Sequence, residues 1–421
     1  KETADKKVLE NKYYTIEVEE NGSLTIVDKA NNVTYKNQGI LVENGDDGDS
    51  FNYSPPRKDM EVFSNESKCT VKISGSDIYD QAEIHFDMVV PADLDERAEG
   101  KVSVTMLVDM TVALRKDSKV IDFNVKVDNK GLSHRLCVLF DSQIVSAFNY
   151  ADQQFGLIKR PNYYEKEMKL YMESMNNKTE KKAGIQELAN WANDQSTWQE
   201  PPISIEPTQS YVSLTDGKTG IAVIPQGVRE YEVLDDSKIR LTLFRTYGFM
   251  GKENLIYRPG RASGERIIET PAAQLLKEME FNFGFTSYAG DINDSDIDTL
   301  AKQYNTNLEV YTYAEFLNGR LIFSQREIEG QNAKIHSLFE TEGNLVVSAV
   351  KKAEEDDGYI IRLYNGKDHK DLDDKIKFNF DIKEAYYTNL KEEKTEEIKV
   401  ENNTISVKEL SHCKFVTIWV K

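Results

Sequence analysis

The chain has 421 residues, 39% of them apolar and 10% aromatic, enough for two or three packed domains. Its net charge of −19, from 72 acidic and 53 basic residues, repels phosphate backbones and anionic lipid, so neither nucleic acid nor a membrane surface is an expected partner. No apolar run approaches the ~20 residues needed to span a bilayer, and Cys69, Cys137 and Cys413 are too few and too scattered for a disulfide framework or a zinc motif. With no apolar signal run at residues 1–7, a reducing, cytoplasmic setting is expected.

The first elements alternate in period two. Residues 13–19 (Tyr-Tyr-Thr-Ile-Glu-Val-Glu) and 23–27 (Ser-Leu-Thr-Ile-Val) flank Asn21-Gly22, which predicts a hairpin. Residues 44–57 then read Asn-Gly-Asp-Asp-Gly-Asp-Ser-Phe-Asn-Tyr-Ser-Pro-Pro-Arg. Gly45 and Gly48 predict a tight loop. Phe51 and Tyr53, two apart, share a face in an extended segment. Carboxylates such as Asp46 and Asp49 beside aromatic faces suit a sugar, whose hydroxyls donate hydrogen bonds while its CH faces stack. An acidic surface turn is the plain alternative. An EF-hand is not, because loop position 12 counted from Asp46 is Arg57 rather than Glu.

Strand patterns continue at Cys69–Ile73, Glu83–Val90, Val102–Leu114, Val120–Val127, Leu136–Phe140, Tyr211–Leu214, Gly220–Ile224 and Ile239–Arg245. His85-Phe-Asp87 imitates a two-ligand metal motif, but alternation turns Glu83, His85 and Asp87 to solvent. His134 precedes a strand and reads as structural or, less simply, as the acid of a sugar epimerase. Helical periods are sparse: 181–193, and 294–304 with Ser295 placed to cap. Trp191 and Trp198 read as packing residues. Arg245 ends a strand, where a side chain can project into a cleft. Arg261 sits in a loop loosened by Gly260 and Gly264.

Beyond the acidic run at 290–296, short strands resume at Ile335–Phe339, Leu345–Val350, Tyr359–Tyr364, Ile376–Phe380 and Phe415–Val420, and 391–399 reads as a solvated hairpin. The pattern predicts an all-β chain: a large antiparallel super-sandwich over 1–289, a linker with a short helix over 290–306, and a smaller β-sandwich over 307–421.

These segments together resemble the C-terminal β-region of glycoside hydrolase family 38, the α-mannosidases, with the bacterial, mannosylglycerate hydrolase-like branch nearest. The resemblance is carried by residues 9–29 and 44–56, His134-Arg-Leu-Cys-Val-Leu-Phe, Gln209-Ser-Tyr-Val-Ser-Leu-Thr-Asp-Gly, Leu241-Thr-Leu-Phe-Arg-Thr, Arg258-Pro-Gly-Arg, Thr270-Pro-Ala-Ala-Gln, Leu345-Val-Val-Ser-Ala-Val and Ile361-Arg-Leu-Tyr-Asn. It implies a galactose mutarotase-like large sandwich. It also implies an α-mannoside substrate and an N-terminal catalytic domain holding zinc, an Asp nucleophile, a further Asp and two His. None of those catalytic motifs stands in these 421 residues, so the chain alone is expected to be inactive and to bind no cofactor. What the resemblance assigns here is substrate contact: an aromatic at Phe51 or Tyr53 and an arginine at Arg245, beside Asp46, Asp49 and Arg261. Phe51 departs from a pattern that often has Tyr, which removes a hydroxyl contact. A stand-alone carbohydrate-binding or scaffold protein and a mutarotase-like epimerase are the alternatives.

Overall fold

The computed structural model describes residues 8–178, 200–258, 268–309, 337–368 and 371–421. Among them the chain is built of antiparallel strands in five sheets. It divides into two compact units, one of residues 1–153 with 158–301, the other of 154–157 with 302–421.

The larger unit contains three sheets. A four-stranded meander spans Val8–Glu10, Tyr14–Val18, Leu24–Asp28 and Val33–Gln38. Its second and third strands are the predicted hairpin, with Gly22 at φ +80° in the turn, the left-handed conformation that glycine adopts without penalty. A nine-stranded sheet holds, near one edge and in spatial order, Glu278–Ala289, Ile121–Asp128, Val104–Arg115, Tyr79–Val90 and Lys68–Gly75. A six-stranded sheet runs Glu206–Pro207, Glu230–Leu234, Lys238–Arg245, His134–Asp141, Ile40–Gly45 and Val62–Phe63.

Period-two alternation decides what each strand buries. In Tyr79–Val90, Ala82, Ile84, Phe86, Met88 and Val90 are buried, while His85 and Asp87 face the other way. Phe140 of the six-stranded sheet stacks on Phe285 of the nine-stranded sheet at 5.4 Å and meets Phe123 edge-on at the same distance. Each such ring contributes about 1.5–3 kcal/mol through burial. The six-stranded sheet departs from simple alternation, because Ile40–Gly45 is buried at every position. Its second face is covered by loops rather than by solvent, which is why Asn44, Arg135 and Arg240 are buried there.

The smaller unit pairs a three-stranded sheet (Phe339–Thr341, Leu372–Phe378, Thr404–Leu410) with a five-stranded one containing Val346–Lys352, Tyr359–Tyr364 and Phe415–Val420. Ile361, Leu363, Ile376, Ile405 and Ile418 lie in its core. The predicted hairpin at 391–399 is the turn and second strand of Ala385–Thr388 paired with Lys394–Glu397.

Helix differs most from expectation. The segment 181–193, with Trp191 and Trp198, lies outside the described residues. The linker helix spans Ile297–Tyr304. A helix at Leu94–Glu99 was not expected, although its signals are present. Asp93 accepts from the amides of Asp95 and Glu96 as N-cap, and Gly100 ends it at φ +71°. Glu165–Lys178 is a further helix without an expected counterpart.

Candidate functional site

Three neighbouring strands of the six-stranded sheet bring the acidic loop and Arg245 together. His134–Asp141 lies between the other two, with Arg135 opposite Asn44 on one side and Arg245 on the other. The amide of Asp46 donates to the Ser133 carbonyl at 2.9 Å, and that of Thr246 to the His134 carbonyl at 2.7 Å. Both strands therefore leave the sheet at the same end, and about two hundred residues of sequence separation close to a direct contact.

Arg245 donates from Nε to Asp46 Oδ2 at 2.6 Å and from Nη2 to Oδ1 at 3.2 Å. This is the two-point pairing that fixes both groups. Nη2 also donates to the Asp49 and Asn52 carbonyls, each at 2.9 Å. The guanidinium thus ties the loop backbone as well as its carboxylate. Nη1 has no partner among the described residues, and 18% of the side chain is exposed. Tyr247 lies alongside, its ring centre 5.2 Å from Arg245 Cζ. Gly48 permits the close approach, since a Cβ there would stand 2.0 Å from the Asn52 carbonyl oxygen.

Asp49 is fully buried and accepts from the amides of Phe51 (3.0 Å), Asn52 (3.1 Å) and Lys252 (2.8 Å), and from Arg258 Nη2. Burial pushes its pKa up, but Arg258 and the three amides together hold it below the usual carboxylate value. Asp46 goes the other way: burial raises it against the pull of Arg245. Tyr53 is buried as well. Its hydroxyl accepts from Asn44 Nδ2 at 3.1 Å, and its ring lies 3.9 Å from Arg135 Cζ.

The carboxylates expected to face a sugar are therefore engaged inside the protein. What faces outward is Phe51, 57% exposed, and Arg245 Nη1. Around them stand the partly exposed Met250, Ile256 and Ile268. Their segments are joined to the loop: Ser50 Oγ donates to the Met250 carbonyl at 2.6 Å, and the Met250 amide to the Ile268 carbonyl at 2.8 Å. Arg261 lies outside the described residues. Arg258, three positions earlier, binds the loop alongside Arg245. Its single sequence signal was the Arg-Pro-Gly-Arg run itself.

A second buried cluster adjoins the loop. Glu43 Oε1 accepts from Arg97 Nη2 and faces His134 Nδ1 at 3.0 Å. His134 Nε2 is 2.8 Å from Asn129 Oδ1. Asn129 uses its Nδ2 to donate to the Gln274 and Leu275 carbonyls, so Oδ1 accepts and His134 Nε2 carries a proton. His134, with no exposed surface, is structural.

Zinc does not fit the residues described. No group of three or more His, Cys, Asp or Glu side chains is placed to hold a metal. The decoy His85 has Nδ1 on Asp109 at 2.7 Å and Nε2 on Asp87 at 3.2 Å, so neither ring nitrogen is left to ligate. The Asp109 hydrogen bond, aided by Asp87, holds the imidazole pKa above its usual 6.5. Lys68 sits on the far side of Asp87, and Thr70 stands opposite on the edge strand. A raised histidine stabilises the fold below the unfolded value, and that contribution is lost as pH rises through the folded value. Titration of the His85 ring by NMR is expected to show a midpoint above 6.5 that falls in Asp109→Asn. A midpoint unmoved by that substitution would contradict the assignment.

Residues 9–249 match the glycosyl hydrolases family 38 C-terminal domain, and residues 344–417 match the family 38 C-terminal beta sandwich domain. The chain belongs to glycosyl hydrolase family 38, as its C-terminal region. It is 24% identical over 420 residues to the "Putative mannosylglycerate hydrolase" of Halalkalibacterium halodurans, covering 95% of this chain and 40% of that protein. Two solved structures share the fold at TM-score 0.73. One is a glycosyl hydrolase family 38 protein from Enterococcus faecalis (20% identity, 98% of this chain, 44% of that one). The other is an alpha-mannosidase from Enterococcus faecalis V583 (21% identity, 98% and 42%). The chain thus spans less than half the length of these relatives. Among the described residues, no helix is long and apolar enough to cross a membrane.

Proposed function

We propose that this chain is the β-region of an α-mannosidase and that it completes the sugar cleft of a zinc-dependent catalytic domain lying outside these 421 residues. The observation that carries the reading is the loop 46–54. Asp46 and Asp49 are consumed in holding the loop's shape, and the Phe51 ring stands outward beside the remaining nitrogen of Arg245. Rigid presentation of this kind is what a substrate-positioning group needs, since small displacements cost rate steeply. In this reading Phe51 and Arg245 contact the mannoside, Asp46, Asp49 and Tyr53 position them, and Arg261 remains a further candidate for substrate contact. Met250, Ile256 and Ile268 supply an apolar border for the catalytic domain. The family membership and the relatives' names support the substrate class. The cytoplasm is the proposed location. An epimerase role is disfavoured because His134 is sealed between Glu43 and Asn129.

The test is Arg245→Ala in the intact enzyme. Loss of a charged hydrogen bond to substrate costs about 1.5–3 kcal/mol, so kcat/KM for an aryl α-mannoside should fall about ten- to a hundredfold. Melting temperature is measured alongside, and Arg245→Lys serves as the conservative variant. Unchanged efficiency removes Arg245 from the cleft. The 421-residue chain alone should show no cleavage. Turnover that scales with its concentration and is lost with a chelator would place the active site within it and overturn the reading.

A further inference from the structure

The outward face of the nine-stranded sheet carries a groove of about 440 Å³. Its floor is two adjacent cross-strand ladders. Thr70, His85, Asp109 and Lys126 stand in register across four strands, and beside them run Lys72, Glu83, Thr111 and Asn124. Alternation puts all eight opposite the buried Ile84, Met110 and Val125.

Part of this face is satisfied internally. His85 bridges Asp87 and Asp109, Gln81 donates to Glu83 Oε1, and Asn124 Nδ2 donates to Glu280 Oε1 and Asn282 Oδ1. Part is not. The hydroxyls of Thr70 and Thr111, Asn124 Oδ1 and Asp109 Oδ2 have no hydrogen-bond partner among the described residues. Asp109, Thr111 and Asn124 lie on two neighbouring strands, about 4.8 Å apart across the sheet and about 7 Å apart along a strand, a spacing that one pyranose ring spans, while Thr70 stands two strands away from Asp109.

The ligand class follows from the charges. Lys72, Lys126 and the doubly hydrogen-bonded His85 stand against Glu83, Asp87 and Asp109. An anion or a cation would meet a like charge within the groove. An apolar ligand would find no apolar floor. A neutral polyol can accept from the threonine hydroxyls and donate to Asp109 and Asn124. We infer that this groove binds a neutral saccharide, on the sheet opposite the one that carries Arg245 and independently of any role for that arginine. With no aromatic platform in the floor, the affinity is weak, with Kd on the order of 1 mM.

The experiment is an NMR titration of the full 421-residue chain with mannobiose, maltose and cellobiose, reading the amides of 83–85, 109–111 and 124–126. Saturable shifts there are expected with at least one of the three. The double variant Thr111→Ala with Asn124→Ala should weaken binding at least tenfold at unchanged melting temperature, while Arg245→Ala leaves it intact. No shift with any of the three sugars overturns the inference. So does binding that survives the double variant, or that vanishes in Arg245→Ala. The last outcome would move the sugar to the acidic loop and leave the mannosidase reading standing.

Discussion

Arg258→Ala should lower the unfolding free energy of the larger unit by about 3–5 kcal/mol. The size follows from what the substitution leaves behind. Asp49 has no exposed surface, and Arg258, 4% exposed, is its charged partner. The three backbone amides that remain are not full counter-charges. Removing the guanidinium therefore strands a buried carboxylate, a larger effect than the loss of a surface ion pair, at about 0–1 kcal/mol. The pH dependence carries a sign. Because the folded pKa of Asp49 lies below the usual value, its contribution is present above the unfolded pKa and is lost as pH falls through the folded one. In Arg258→Ala that acid limb should shrink. Urea unfolding at neutral and acid pH measures both effects. A loss below 1 kcal/mol at neutral pH would show that the pair does not hold the loop.

Glu43→Ala is expected to cost a similar amount, about 3–5 kcal/mol, for the converse reason. Glu43 joins Arg97, on the helix Leu94–Glu99, to His134, on the central strand of the six-stranded sheet. All three are buried. Alanine removes the anion and leaves Arg97 with Asp59, at 3.4 Å, as its carboxylate partner. Glu43→Gln retains an acceptor of the same shape and should recover part of the loss. If alanine and glutamine cost the same, the lost charge accounts for the whole effect and the retained shape contributes nothing. The Ala–Gln difference in unfolding free energy reads this directly.

Both predictions concern residues whose importance the sequence conceals, and the reason is physical. Alternation is a local property, so the strands of Tyr79–Val90 and His134–Asp141, the hairpin at Asn21-Gly22 and the outward turn of His85 could all be read from neighbours along the chain. The acidic loop stood out by composition, and a strand-end arginine by position. Which arginine meets which carboxylate depends on strand order, and strand order is long-range. Arg258 sits in a loop with glycines and Arg261, and its partner Asp49 comes from the acidic loop about two hundred residues earlier. Glu43 sits in Ile-Leu-Val-Glu-Asn, where alternation gives it the same face as Leu41. A buried glutamate there makes sense only once Arg97 and His134 arrive from elsewhere. The carboxylates of Asp46 and Asp49 suggested a surface that greets hydroxyls, yet their oxygens serve the loop itself. The helix Leu94–Glu99 could have been found from Asp93 and Gly100, but six residues give too short a period to register.

The contact between Asp46 and Arg245 also sets an order in time. The two residues are 199 positions apart. A ribosome adding about 5–20 residues per second needs roughly 10–40 s to cover that distance. Throughout that interval the emerging loop carries Asp46 and Asp49 without Arg245 and Arg258, and Phe51 has no fixed direction. The six-stranded sheet is equally unfinished, since His134–Asp141 must wait for Lys238–Arg245 to cover its other edge. The rim that presents Phe51 is thus a late part of the larger unit to mature during synthesis, and a chain interrupted before residue 245 would lack both the assembled loop and Glu278–Ala289, the interior strand that joins the two halves of the nine-stranded sheet.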